Sequence, residues 1–555
     1  MTKVVKFGTS GLALSAIVMC GALLFAQVNS PKMTFNHPVR FAVSPPLREL
    51  AKLPHRQHYG FEETEPVHQV NFHTGRILGP AADPVEQKSA GIPSAISIGL
   101  TIPGISRMGT YWPPDTNAAV GDTQVVEWVN VEYSVYNKST GALEAGPIDG
   151  NLLWQALGGD CYNENDGDII AQWDKVNHRW LLAQNFFDEG NDDNPPYAAC
   201  VAVSTSDDAT GTYYEYEFSL GNGFPDYPKW GIWPTGYFQT QNAYNLNGGG
   251  NFLGVYVCAY NSAKLIVGDQ TAEQICFQAT PNDYSLLPGD VDSPAPPPAN
   301  QDEFFIGSYD VDPDLDHLYL YSMHPDYANP SQSTFSGSGL ADPITVPAYT
   351  PYCSGLDTPC VPQQGTNTKL AGIGDRLMYR FAYWDDGPPA HVGPTAGHAP
   401  SQHWYVNHVV TASGGQAGVR WYEFRAPVRT ATISNVSLFQ SGTFAPDSNN
   451  RWMGSIAQDK MGDIAVGYSI ASATTYDSIG TTGRVPSDPL GQMETETLVV
   501  AGTGSQGGSL RWGDYSSMAI DADGCTFWYS QEYYTVPDST TWQTQMTSFK
   551  FTGCQ

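Results

Sequence analysis

IIAQWDKVNHRWLLAQ, residues 169–184, carries the reading that decides the fold: an apolar run, an aspartate-led turn at Asp174, and a second apolar run. Short runs rich in aromatic and branched residues, separated by Asp, Asn and Gly, are the signature of antiparallel hairpins. The same form returns in FFIGSYDVDPDLDHLYLYS from Phe304, MGSIAQDKMGDIAVGYS from Met453 and YSSMAIDADGCTFWYSQ from Tyr515, with turn aspartates Asp312, Asp459 and Asp521. Further hairpins are expected at 124–145, 228–260 and 403–424, which gives about seven across roughly 450 residues. Hairpins that recur at this spacing suit radial blades, which leave only short, protected sheet edges. The expected fold is therefore all-β, a single β-propeller of about seven blades (six to eight). Two β-sandwiches in tandem are the alternative.

Outward from the repeat, composition agrees: 56 Gly, 41 Pro and 12% aromatic residues leave little room for long amphipathic helices, and no apolar stripe at helical spacing follows residue 26. At the start, Lys3 and Lys6 precede an apolar run from Leu12 to Ala26, the pattern of a secretory signal peptide over residues 1–26. No later stretch approaches the length of a membrane-spanning helix. Residues 27–90 are rich in Pro, His and charge and read as an extended arm or propeptide-like segment, leaving 91–555 as the propeller domain. Long connections at 281–303 and 325–372 interrupt the hairpins. Of nine cysteines, Cys20 falls in the leader. The other eight fall in local pairs, Cys161 with Cys200, Cys258 with Cys276, Cys353 with Cys360 and Cys525 with Cys554, as disulfides of a secreted, periplasmic or cell-surface protein. The formal charge of -30 argues against nucleic acid and anionic lipid as partners, since phosphate binding needs a basic stripe.

Several strings, among them PPDTNAAVGDTQVVEWVN (113–130), DYPKWGIWPTGYF (226–238), RWMGSIAQD (451–459) and RWGDYSSMAIDADGCTFWYSQEYY (511–534), resemble a group of secreted bacterial propeller proteins loosely allied to the sialidase-like, Asp-box superfamily. The resemblance implies the fold and secretion. The Asp box itself is approached only by DADGCTFW (521–528), with altered spacing.

Sialidase-like enzymes hold a sugar carboxylate with arginines and use a Tyr with carboxylates at the reacting centre. On that resemblance Arg376, Arg451 and Arg511, each at the start of a strand-like segment, are the candidate substrate-binding residues, because guanidinium forks capture carboxylates bidentately. Asp514, Tyr515 and Glu532 are the candidate catalytic residues, a Tyr beside paired carboxylates being a route to glycoside cleavage. Pairing of each arginine with a neighbouring acid, and packing of Tyr515 between blades, is the plainer reading. Asp310, Asp312, Asp314 and Asp316 in DVDPDLD offer alternate oxygens to a hard cation such as calcium, or form a solvated hairpin tip. No organic cofactor is indicated, and G-x-S-x-G and H-E-x-x-H are absent from the sequence. The function that follows is recognition of extracellular glycan, with sialidase-like hydrolysis as its catalytic form and a non-catalytic binding propeller as the alternative.

Overall fold

A computed structural model describes residues 31–54, 61–62, 82–106, 111–186, 195–246, 250–308, 315–337, 343–353, 359–387, 401–426 and 431–555. The expected leader lies outside these residues. Among them the regular structure is nearly all strand, mostly antiparallel, and its larger sheets contain seven four-stranded units, two of which share one ten-stranded sheet.

The first sheet comprises Asn117–Val120, Gln124–Val129, Glu132–Asn137 and Leu143–Asp149. The second comprises Ile170–Asp174, Arg179–Phe186, Tyr197–Ser204 and Tyr213–Gly221, and the third Phe224–Trp233, Gly236–Asn245, Asn251–Tyr260 and Gln274–Gln278. The fourth is Leu287–Val291, Glu303–Gly307, His317–His324 and Thr334–Ser336, and the fifth Met378–Asp385, Gln402–Thr411, Ala417–Ala426 and Ser437–Phe444. Asn450–Gln458, Ile464–Ser472, Thr475–Arg484 and Thr497–Val500 make the sixth. The seventh has Ser517–Ile520, Phe527–Tyr533 and Gln543–Phe551, and takes its fourth strand, Ile96–Ser106, from the part of the chain that precedes the first sheet.

The first strand of each sheet touches the first strand of the next, and that of the seventh touches that of the first. Those of the fourth and fifth sheets pair directly, in parallel, through Gly289–Phe381, Asp290–Ala382 and Val291–Tyr383. Crowding at this inner rim explains its small residues. A Cβ on Gly231 would collide with the carbonyl oxygen of Gly289 on the neighbouring first strand. The first strands are covered on both faces, Ile170–Asp174 being buried throughout, so they lack the in-out alternation of a half-exposed strand.

The aspartate-led turns stand where the first strand passes to the second. Asp174 accepts the main-chain N–H groups of Val176 and Asn177, both at 3.0 Å, and Asp459 those of Met461 and Asp463 at 2.8 and 3.0 Å. The repeat from Phe304 is out of phase: it spans the second and third strands of its sheet, and its turn around Asp312 lies outside the described residues. The first strand of that sheet, Leu287–Val291, lies inside what reads as a Pro-rich connection.

From the arm, Lys32–Asn36 adds an edge strand to the third sheet, Arg40–Val43 to the second and Glu86–Gln87 to the fifth. Disulfides join Cys161 to Cys200, Cys258 to Cys276, Cys353 to Cys360 and Cys525 to Cys554. The segment clipped by Cys353 and Cys360 sends Tyr352, Val361, Leu370 and Ile373 into an apolar cluster with Trp452, Trp512 and Trp542.

Candidate site at the start of the inner strands

The chain bends sharply as it enters most of the first strands. Asp115, Asp168, Tyr227, Ser285, Met453 and Asp514 all hold a positive φ, between 44° and 55°. L-residues reach this region at an energetic cost; four of these residues precede a first strand, and Tyr227 and Met453 sit at register shifts near the start of theirs, so the fold sets side-chain direction against local preference along this rim.

These bends gather charge. Tyr227 is the hub: its ring centroid lies 3.3 Å from Lys229 Nζ and 4.3 Å from Arg376 Cζ, and its hydroxyl donates to the carbonyl of Asp514 at 3.0 Å. Its main-chain N–H donates to Asp168 Oδ2 at 3.0 Å. Lys229 Nζ is also 4.1 Å from the Tyr515 ring and donates to the carbonyl of Pro228 at 2.9 Å. Arg511 Nη2 meets Asp514 Oδ2 at 2.6 Å. Arg376 grips Asp375 through Nε at 3.0 Å and Nη2 at 3.2 Å, and Nη2 also donates to the Tyr284 hydroxyl at 2.5 Å.

All of these groups are buried; Lys229 and Arg376 are each 1% exposed. Burial lowers the Lys229 ammonium to about 8, against the pull of Asp168, Asp115 and Asp514. Burial raises Asp514 even though Arg511 and Arg376 oppose it. Asp115 is raised well above the carboxylate range, first by burial and then by the charges of Asp514 and Asp168. Both of its carboxylate oxygens are buried without a hydrogen-bond partner. A buried polar group left this way costs on the order of 1–3 kcal/mol, which a bound hydrogen-bonding group would recover.

The sequence candidates divide here. Arg376, Arg511, Asp514 and Tyr515 come together, and Glu532 lies beside them, its Oε1 3.2 Å from where a Cβ on Gly513 would stand. Burial raises Glu532 well above its ordinary range. Arg451 stands apart: its guanidinium is held by Asp447 at 2.9 and 3.0 Å and by Glu496 at 2.7 Å, beside the outermost strand of the sixth sheet. Tyr515 packs its ring among the others and donates its hydroxyl to the carbonyl of Ile169 at 2.8 Å, an arrangement that commits the proton of an expected nucleophile to the main chain. Asp310, Asp312 and Asp314 lie outside the described residues, while Asp316 pairs with His317 at 2.6 Å. Among the described residues no group of three His, Cys, Asp or Glu side chains is placed to hold a metal ion.

Sequence reasoning missed Asp115, Asp168 and Lys229. A signal for the two acids exists: PDT (114–116), GDI (167–169), NDY (282–284), GDR (374–376) and GDY (513–515) each put an aspartate after Pro, Gly or Asn just ahead of a first strand, and PDY (225–227) does so near the start of one.

A second charged group lies further along the first strands. Arg380 binds Asp290 through Nε at 2.6 Å and Asp292 through Nη1 and Nη2 at 3.1 and 2.9 Å, and it donates to the carbonyl of Met518 at 2.6 Å. Lys175 reaches Asp292 at 3.0 Å, and Gln172 reaches Asp290 at 3.0 Å. They surround a small cavity of about 30 Å³ lined from the first strands of the first, second, fourth, fifth and seventh sheets.

No family model matches the sequence, and no curated protein matches it either. Among solved structures, the chain is similar to a subtype N10 neuraminidase-like protein of A/little yellow-shouldered bat/Guatemala, with 10% identity over 70% of this chain and 100% of that one and a TM-score of 0.32. It is similar to a mutant of Trypanosoma rangeli sialidase displaying trans-sialidase activity, with 8% identity over 71% and 59% and a TM-score of 0.35. An endo-arabinase from Bacteroides thetaiotaomicron gives 11% identity over 60% and 93%, with a TM-score of 0.25. Likenesses this distant carry no weight for the assignment, which rests on the strand topology and the site.

Proposed function

We propose that the seven sheets are the blades of one secreted β-propeller, closed by Ile96–Ser106, and that it recognises extracellular glycan at the mouth where the first strands begin. The contacts in series between first strands support a propeller over two sandwiches, which would not bring the seventh sheet back to the first. Four disulfides suit an oxidising compartment, and no helix among the described residues is long and apolar enough to cross a membrane.

The observation that carries the reading is the convergence of Asp115, Asp168, Lys229, Arg376, Arg511 and Asp514, from the starts of different first strands, on one shared electrostatic neighbourhood. Charges brought out of water at this density are costly unless paired, and clusters of buried titratable groups with perturbed protonation are enriched at functional sites. Binding is the leading form of the reading. Hydrolysis is favoured by one observation: Asp514 is ion-paired while Asp115 is not, and two carboxylates in unlike environments are what acid and base roles in glycoside cleavage require.

The test is a glycan panel scored for both binding and hydrolysis with purified mature protein, with and without calcium, beside Arg511→Ala and Asp514→Ala. Binding or turnover that both substitutions abolish in proteins that still melt cooperatively supports the mouth as the site. Ligand binding that neither substitution alters would move the site elsewhere.

A further inference from the structure

The charged groups at the mouth are buried, and a part of the chain that belongs to no blade lies against them. Residues 349–353 and 359–373 hold two short strands, Pro359–Pro362 and Lys369–Ala371, which among the described residues pair only with each other. This segment crosses three sheets on the side where the first strands begin. At the fifth sheet the Thr350 carbonyl accepts the main-chain N–H of Thr411 at 2.8 Å. At the sixth the Tyr352 hydroxyl donates to Asn450 at 2.9 Å, and beside the seventh the Thr366 hydroxyl donates to Asp538 at 2.8 Å.

The segment touches the main chain that carries both mouth arginines. Gly372 and Gly374 lead into Asp375 and Arg376: a Cβ on Gly372 would stand 2.9 Å from Cys353 Sγ, and one on Gly374 would collide with the Tyr352 carbonyl oxygen. On the other side the Ala371 N–H donates to the Leu510 carbonyl at 2.8 Å. Gln363 and Gln506 exchange hydrogen bonds, and Gln506 Nε2 donates to the Arg511 carbonyl at 2.6 Å.

The disulfide that clips this segment differs from the other three. Cys353 and Cys360 are half-buried, whereas the six other paired cysteines are at most 7% exposed. A thiol reaches only a sulfur that meets solvent, and exposed disulfides are the labile ones. At a separation of 7 residues it closes the shortest loop of the four, so it constrains the unfolded chain least. The backbone is strained as well: Cys353 holds φ at 52° and the branched Ile373 at 42°, conformations that the surrounding contacts must impose.

Resting on the mouth as the binding site, we propose that residues 349–353 and 359–373 form a cover over it, latched by the Cys353–Cys360 disulfide, and that a small extracellular thiol unlatches it. The thiolate attacks one sulfur, the S–S bond breaks and the other cysteine leaves as thiolate. A second thiol then resolves the mixed disulfide, so that the protein ends with two cysteine thiols and the reductant as its own disulfide.

The experiment is hydrogen–deuterium exchange by mass spectrometry on the mature protein in three forms: oxidised, treated with dithiothreitol, and carrying Cys353→Ser with Cys360→Ser. Differential alkylation identifies the cysteines reduced. The expected result is that this pair is reduced before the others. In the reduced protein and the double variant, amides of 371–376 and 505–512 should then exchange at least tenfold faster, those of Ile170–Asp174 as before, with a cooperative melt in both. Unchanged exchange at 371–376 and 505–512 would overturn the latch, as would reduction of another pair first. Faster exchange throughout would make the disulfide a scaffold bond and overturn it too. Glycan binding by the oxidised and open forms separates this inference from the functional reading. Affinity at least tenfold higher in the open form is expected, and equal affinity would overturn the cover. Local opening with no glycan bound by either form upholds the cover and overturns the mouth as a glycan site.

Discussion

Two groups of buried charge lie along the same set of inner strands, and they are finished differently. Around Arg380, the guanidinium meets Asp290, Asp292 and the Met518 carbonyl, and Lys175 adds a second cation. Burial works against the charge of Asp292, yet Arg380 and Lys175 outweigh it and hold that carboxylate below its ordinary range. At Asp290 burial prevails over Arg380 and the carboxyl is raised. At the mouth, Asp115 has no hydrogen-bond partner. The ion pairs around Arg380 tie neighbouring sheets together, even though Glu303, raised by burial and by the charge of Asp290, keeps both oxygens without a hydrogen-bond partner there; at the mouth it is Asp115, with no ion pair of its own, that is left so.

The sharpest way to break this contrast is Arg380→Ala. It strands Asp290 and Asp292 in the interior, and we expect about 3–5 kcal/mol of lost stability, read by denaturant unfolding. A loss below about 1 kcal/mol would show that the Arg380 group does not hold the sheets together.

A partnered acid outside both groups calibrates the effect of burial. Glu127 accepts from the Ile105 N–H and the Thr544 hydroxyl, both at 2.7 Å, yet burial raises it from 4.5 to about 7. Its proton is held more tightly in the folded state, so its contribution is complete below the unfolded value and is lost as pH rises through the folded one. Glu127→Gln should therefore flatten the fall in stability between pH 5 and 8, the gap to the parent changing by up to about 3 kcal/mol. Parallel melting curves across that range would show that Glu127 does not titrate there.

Tyr515→Phe tests the smallest difference. It removes one hydrogen bond to Ile169, costing about 1 kcal/mol in a melt, and any glycan binding or turnover should persist. Loss of turnover with binding intact would restore the tyrosine to the chemistry.

How much of this was written in the sequence depends on which end of the strand is considered. The aspartate turns at Asp174 and Asp459 are local: the acid caps main-chain N–H groups two to four residues on, so its meaning survives in a short string. Leu287–Val291 escaped notice because Pro288 and Gly289 weaken its strand signal, and only its parallel neighbour on the fifth sheet explains why it is a strand.

The mouth is a tertiary construction. Arg511 and Arg451 both open an Arg-Trp pair, yet Arg451 lies two residues before the left-handed Met453 while Arg511 lies three before the left-handed Asp514. One residue of offset reverses the face of a strand to which a side chain points, which accords with their separate destinations. Asp115 and Asp168 carry only a short Pro-Asp or Gly-Asp string ahead of a strand, and Lys229 carries no such string; they acquire a shared role only when several sheets meet.

The measurement that bears most directly on the contrast is a paired one on Asp115→Ala: its melting temperature at pH 7.5, and its affinity for the glycan that the parent binds best. Removing an acid whose burial is unrelieved should leave the melting temperature unchanged or higher while affinity falls at least tenfold. A melting temperature that drops by several degrees with affinity intact would make Asp115 part of the scaffold and contradict the assignment of the mouth as the binding site.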